Sequence, residues 1–202
     1  VPNETSRAAY SGRAAEYVDL LGSMSSVHPS DVQIVSTWAS DVHGDIIDAG
    51  CGPGHWTNFL AQQGVTARGI DQVPEFIAHA ANAYPAVDFA VEGLDAMEAR
   101  TGSVGGVLSW YSLIHYEPDE IQVPLREFGR VIKPGGALLV GFFEGPVVEK
   151  FAHAVTPAYR WPVDSISSEL GRAGFDFLES HVRRTAGQRP QAAVSARRQE
   201  AR

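Results

Sequence analysis

The chain has 202 residues, 44% of them apolar, and a formal net charge of −8. This apolar share supports a proper core and excludes wholesale disorder, and the acidic balance excludes a general nucleic-acid-binding surface. No apolar run reaches the roughly 18 residues that a membrane-spanning helix needs.

The only cysteine, Cys51, has no internal partner for a disulfide, and no Cys/His spacing suggests a metal site. The opening residues lack the basic-then-apolar order of a signal peptide. A reduced, cytoplasmic setting is the expectation, with no membrane partner.

In chain order, the first 28 residues read as one helix, with Ala9, Tyr10, Ala14, Tyr17, Leu20 and Leu21 on one side and Gly22-Ser23 ending it. Ser30 is a candidate N-cap for a second helix from Asp31 to Ala39. Strands and helices then alternate: strand Asp45–Ala49, helix Thr57–Gln63, strand Thr66–Ile70 and helix Pro74–Tyr84. Strands at Val87–Val91 and Gly106–Trp110 follow, then a helix at Leu125–Val131 stopped by Lys133-Pro134-Gly135-Gly136. Ala137–Phe143 is nearly all apolar, as expected for a strand covered on both faces. Val163–Ala173 reads as a helix with Gly174 after it. Phe175–Arg183 and Gln191–Arg197 read as a final antiparallel pair. This alternation predicts an α/β doubly wound fold, with ligands bound beyond the C-terminal ends of the strands at Ala49 and Trp110.

The stretch after the first strand is Asp48-Ala49-Gly50-Cys51-Gly52-Pro53-Gly54. A dinucleotide loop needs G-x-G-x-x-G, and His55 or Thr57 stands where the third glycine would fall. No Gly-Lys-Ser/Thr is present for a phosphate loop. A carboxylate two residues before the glycines opposes a pyrophosphate and suits an ammonium group. Asp71, at the end of the second strand, suits the two hydroxyls of a ribose. S-adenosylmethionine has the ribose and the cationic end and needs no phosphate site.

With these residues in place, the chain resembles the class I S-adenosylmethionine-dependent methyltransferases, in the small single-domain branch acting on small molecules. "DAGCGPG" is similar to the family's first motif, "GIDQ" to its ribose-binding acidic motif, and "LREFGRVIKPGGALLVGFF" to its closing helix, turn and strand. The resemblance implies a Rossmann-like seven-stranded sheet in the order 3-2-1-4-5-7-6 with the last strand antiparallel. It also implies an N-terminal helical lid over residues 1–28, a methyltransferase domain over 29–202 and an acceptor-pocket insertion at about 144–162. S-adenosylhomocysteine is the implied product.

Carried onto this chain, the resemblance places Asp48, Ala49, Gly50, Cys51, Gly52, Gly54 and Trp56 around the methionyl part. Asp71 meets the ribose and Gln72 the adenine, while Trp110 and Tyr111 border the donor. In the segment after the third strand, "VEGLDAMEA" departs from the family's Gly-Asp-Ala, so the adenine contact falls to the backbone of Gly93 and Leu94, with Asp95 as the alternative. "SLIH", Ser112 to His115, resembles the family's S-L-x-H segment. His115, with Tyr111, is the candidate catalytic group; a structural histidine is the competing reading. Tyr10 and Tyr17 of the lid, and Tyr159 and Arg160 of the insertion, are candidate acceptor contacts.

Two readings compete with a small-molecule methyltransferase. Residues 181–202 hold six arginines and one acid, Glu200. They form either a charged sheet edge with a solvated tail or the docking surface of an RNA or protein methyltransferase. The domain could also bind the donor without catalysis. The expected partner is a small methyl acceptor, without nucleic acid, and the chain is expected to be a monomer or homodimer.

Overall fold

The computed structural model describes residues 2–200. Two short helices open it, α1 (Pro2–Ser11) and α2 (Ala14–Leu21), then a 3-10 turn at Met24–Ser26 and α3 (Pro29–Ser40). The expected single N-terminal helix is therefore broken at Gly12-Arg13, where Arg13 leaves helical geometry at φ −126°. The break has a purpose in packing. Residues seven apart on a continuous helix sit about 10 Å apart along its axis, yet the Tyr10 and Tyr17 rings meet edge to face at 5.5 Å. In α3 the cap is His28, not Ser30: the His28 Nδ1 accepts from the Ser30 amide, and Pro29 occupies the first turn.

The alternating region then runs β1 (Ile46–Ala49), α4 (His55–Gln62), β2 (Ala67–Asp71), α5 (Pro74–Ala83), β3 (Asp88–Val91) and β4 (Val104–Trp110). It continues as α6 (Gln122–Val131), β5 (Ile132–Glu144), a hairpin of β6 (Glu149–Phe151) and β7 (Ala158–Trp161), α7 (Val163–Arg172), β8 (Phe175–Arg183) and β9 (Gln191–Arg198). Leaving the small hairpin aside, the strand order is β3-β2-β1-β4-β5-β9-β8. Strands β1 to β5 are parallel, and β9 runs antiparallel between β5 and β8. In the order of the seven main strands this is 3-2-1-4-5-7-6, the order that the family resemblance implies.

Two local differences stand out. Strand β5 begins at Ile132 rather than Ala137, because Val104 pairs with Ile132 across a register shift before Gly106 meets Ala137. The insertion is partly strand: β7 pairs in parallel with Phe143 and Glu144 at the end of β5, beyond the point where β4 stops. Proline and glycine around these three- and four-residue strands hide them from any period-2 pattern.

Alternate residues of the buried strands serve two cores. Ile47, Val107, Leu138 and Val140 pack with Leu125 and Phe128 of α6 and with Ile166 and Leu170 of α7. Ile46, Leu108 and Leu139 pack with Val35 and Trp38 of α3 and with Leu60 of α4. A central parallel sheet needs both faces covered in this way. Among the described residues, no helix is long and apolar enough to cross a membrane.

Candidate functional site

The turn from β1 into α4 needs its glycines. Gly50, Gly52 and Gly54 have φ of 79°, 53° and 84°, the left-handed region that side chains disfavour. At Gly50 a Cβ would lie 2.3 Å from the Ser112 Cβ, and at Gly54 2.7 Å from the Ala80 Cβ, so both are also required by close packing. Above Gly52 no atom lies within 4 Å of that position. The loop thus packs tightly on two sides and is open on the third, where a ligand would approach backbone.

Two carboxylates stand under this opening. Asp71 accepts from the Gly52 amide through Oδ2 and from the Val73 amide through Oδ1, both at 2.9 Å. Asp48 is 1% exposed, and its Oδ2 accepts from the Thr57 hydroxyl at 2.7 Å. Burial raises Asp48 to about 7 and Asp71 to about 6, against hydrogen bonds that pull both down. Among the described residues no Lys, Arg or His pairs with either. Their ionised forms are therefore short of positive charge, and a cationic ligand above Gly52 would supply it.

Two lobes of one depression meet at this loop. The smaller, about 100 Å³, is walled by Asp71, Gln72, Val73, Phe76, Leu94, Ser112 and His115. The larger, about 540 Å³, extends past Asp48, Cys51, His55 and Trp56 to Phe143 and His153. Tyr10, Tyr17, Gly50, Gly52, Trp110 and Tyr111 line both. Trp110 lies edge-on to Trp56 at 5.7 Å, and Tyr111 packs on Phe143 at 5.1 Å. Tyr111 has a φ of 60°, the only positive value at a non-glycine among the described residues. Such strain persists only where the surroundings over-determine it; here the Tyr111 amide is held by the Gly141 carbonyl at 2.9 Å.

His115 has a defined tautomer. Its Nδ1 lies 2.9 Å from the Pro157 carbonyl, which can only accept, so Nδ1 carries the hydrogen. Nε2 is then an acceptor, and the Tyr10 hydroxyl donates to it at 2.9 Å. Burial lowers the His115 pKa from its ordinary value, opposed by the Pro157 bond. The ring is neutral at pH 7, with its lone pair facing Tyr10 of α1.

The structure brings most of the expected residues together, with exceptions. Ala49 is fully buried in β1 and Gly54 starts α4 below the loop, so both shape the turn from beneath. Leu94 lines the smaller lobe; Gly93 and the exposed Asp95 line neither lobe. Tyr159 and Arg160 also line neither. The Tyr159 hydroxyl donates to Glu117 and Arg160 pairs with Glu149, because β7 turns both toward the acids of its own hairpin and the loop after β4. Asp31, Phe143, His153, Arg183, Gln188 and Gln191 line the large lobe and were not singled out in the sequence. They come from four distant segments with no shared motif.

The arginine-rich end is engaged within the chain. Arg183 pairs with Asp31 at 2.8 Å and Arg184 with Glu144 at 3.1 Å. Arg189 donates to the Ala152 carbonyl and lies over the Phe151 ring, Arg197 donates to the Gly135 carbonyl, and Arg198 to that of Ile132. Arg202 lies outside the described residues.

The strand order and the glycine turn are those of a class I S-adenosylmethionine-dependent methyltransferase, and residues 46–136 match the methyltransferase domain family. The chain carries a methyltransferase domain of this class. It is 28% identical over 198 residues to the 2-heptyl-1-hydroxyquinolin-4(1H)-one methyltransferase of Mycobacteroides abscessus, covering 89% of this chain and 86% of that one. It is 31% identical over 100 residues to a ubiquinone biosynthesis O-methyltransferase of Xanthomonas oryzae pv. oryzae, covering 47% of this chain and only 41% of that relative. In fold it resembles the 1,6-didemethyltoxoflavin-N1-methyltransferase of Burkholderia thailandensis, solved with 1,6-didemethyltoxoflavin and S-adenosylhomocysteine. The TM-score is 0.80 at 19% identity, covering 99% of this chain and 91% of that one.

Proposed function

We propose that this chain transfers a methyl group from S-adenosylmethionine to an oxygen or nitrogen of a small, planar heteroaromatic acceptor. The observation that carries the reading is the shared wall of the two lobes. Gly52, open above its backbone, and the His115 Nε2 flank the smaller lobe, and the ring-lined larger lobe begins at that same wall. The Mycobacteroides abscessus relative acts on a bicyclic heterocycle by name, which supports the acceptor class.

The residues fit the donor. Asp71, whose oxygens keep lone pairs beyond their bonds to the Gly52 and Val73 amides, suits a ribose, and the Asp48 carboxylate favours the ammonium of the amino-acid end. Leu94 and Gln72 suit an adenine face. When bound, the donor supplies a methyl group already activated by its sulfonium, leaving a neutral thioether as leaving group. The chain's own work is then positioning, which can supply about 7–11 kcal/mol in well-oriented systems. It must also remove a proton if the acceptor is an O–H or N–H. The His115 Nε2 is the base for that proton: its tautomer is fixed by Pro157, and its lone pair is freed when Tyr10 gives way. The Tyr10–Tyr17 lid and the segment carrying His153 exclude water from the pair.

The internal partners of the C-terminal arginines favour this reading over an RNA or protein methyltransferase. The decisive experiment is calorimetric titration of S-adenosylmethionine, followed by S-adenosylhomocysteine release with planar hydroxylated and N–H heterocycles. Donor binding with turnover on that class is expected. Donor binding with no turnover across the class would leave a non-catalytic donor-binding module.

A further inference from the structure

Where the large lobe meets an adjoining cavity of about 610 Å³ stands a cluster that the transfer chemistry does not use. Asp31 of α3, Arg183 of β8 and Gln191 of β9 meet there, three residues that register and packing bring together from 160 positions of separate chain. The Arg183 Nη2 donates to the Asp31 Oδ2 at 2.8 Å and also to the Gln191 Oε1. Arg183 and Asp31 side chains are only 20% and 13% exposed. A pair this enclosed costs desolvation that its attraction barely offsets, so it is a weak stabiliser for the place it occupies. Arg183 is the one Lys or Arg, among the described residues, that lines either lobe.

The bonds within the cluster leave a defined donor and acceptor largely unpaired. Arg183 engages the Gln191 carbonyl oxygen, which turns the amide so that its NH2 is the free end. Among the described residues that NH2 has no partner, and the Asp31 Oδ1 has only the Ser30 hydroxyl at a long 3.4 Å. A donor and an acceptor thus stand side by side, locked by one guanidinium.

The separation from the donor loop limits what can touch both. Three strand steps, β1 to β4 to β5 to β9, lie between the glycine turn and Gln191. At about 4.7–4.9 Å per step this is about 14 Å. An acceptor held at the shared wall of the two lobes would lie between them, with the ring edge opposite the methylated atom toward the cluster.

Resting on the methyltransferase reading above, we propose that Asp31, Arg183 and Gln191 form the specificity site for the acceptor's far edge, and that this edge carries a carbonyl. The Gln191 NH2 donates to that carbonyl oxygen. Arg183 holds the amide in the donating orientation, and Asp31 accepts from any neighbouring ring N–H. Bicyclic acceptors with a ring carbonyl opposite the methylated atom are selected over equally large, carbonyl-free aromatic alcohols.

The test is calorimetric binding of two probes, 1-hydroxyquinolin-4(1H)-one and 2-naphthol, to the full chain saturated with S-adenosylhomocysteine. The wild-type protein is expected to bind the quinolone at least tenfold more tightly than the naphthol. Gln191→Leu should shrink that ratio below threefold, with naphthol and S-adenosylhomocysteine affinities unchanged. Asp31→Asn, which retains the shape of the side chain, should lower the ratio less, and thermal melting confirms that each variant is folded. An unchanged ratio in folded Gln191→Leu overturns the proposal, as does equal weakening of both probes, which is what a merely structural tie between α3 and β9 would give. If the wild type binds S-adenosylhomocysteine but neither probe, the specificity site is overturned and the methyltransferase reading stands. If S-adenosylhomocysteine itself does not bind, that reading fails and this proposal fails with it.

Discussion

The proposed donor half and the proposed acceptor half of the site are built on different plans. The donor half lies on β1 and β2, where Gly50, Gly52, Asp48 and Asp71 fall within 24 residues and are locked mainly by backbone contacts. The acceptor half is assembled from pairs far apart in the chain: Tyr10 with His115, Arg13 with the Ala154 carbonyl, Asp31 with Arg183, and Arg189 with the Ala152 carbonyl. The first plan keeps one ligand geometry constant. The second lets the pocket change by substitution of side chains without disturbing the donor turn, which is how one fold carries many acceptors.

If the two halves are separable, each variant should affect one and spare the other. His115→Ala should have the largest effect, lowering kcat by about 10²- to 10⁴-fold, with the donor Kd unchanged by calorimetry. A matching loss of donor affinity would erase the division. Gly50→Ala forces a side chain into φ 79° and against Ser112. It should cost about 2–4 kcal/mol of stability in denaturant melts and reduce donor binding with it.

Asp71→Ala should weaken donor binding by about 10- to 100-fold, the cost of hydrogen bonds to a charged group. For any acceptor that binds, its own Kd measured with saturating S-adenosylhomocysteine should stay within threefold. Donor affinity that does not change would remove Asp71 from the ribose site.

The carboxylates add a pH test. Asp48 at about 7 and Asp71 at about 6 are partly protonated between pH 6 and 7 in the free protein. A bound cation favours their ionised forms and lowers both values. Donor binding should therefore release protons in that window and cease to do so above about pH 8, where both are already ionised. Calorimetry in buffers of different ionisation heat reads this directly. Asp48→Asn should remove the larger part, and proton uptake on binding would contradict the cationic site.

Tyr10→Phe should give the smallest effect. The lost hydroxyl no longer stabilises neutral His115, so the histidine pKa should rise by about half to one pH unit, from about 0.5–1.5 kcal/mol. The acidic limb of kcat/KM would move to higher pH with kcat little changed on the plateau. An unmoved limb would separate Tyr10 from the base.

The same division decides what could be read before folding. Strand and helix alternation, the final antiparallel pair and the donor turn were legible because each rests on local signals: apolar runs, glycines and acids at short spacing; the full strand order came only from the resemblance those motifs carry. The break at Gly12-Arg13 was missed because it depends on Tyr10 and Tyr17 closing over Phe76 and His115. Tyr159 and Arg160 drew attention as an aromatic–basic cluster, yet strand pairing turned them to Glu117 and Glu149. Asp31 and Gln191 gave no signal at all, since neither sits in a motif and their partner Arg183 read as part of a charged edge.

By itself, then, the amino-acid sequence determined the fold class and the geometry of the glycine turn, because backbone conformation and burial pattern are set by neighbouring residues, and its ordered motifs carried the resemblance to methyltransferases. Only the tertiary structure decided which nitrogen of His115 carries its hydrogen, what the C-terminal arginines hold, and which side chains line the larger lobe. Those depend on contacts across 100 positions or more, such as Tyr10 to His115 and Asp31 to Arg183, and no local spacing encodes them.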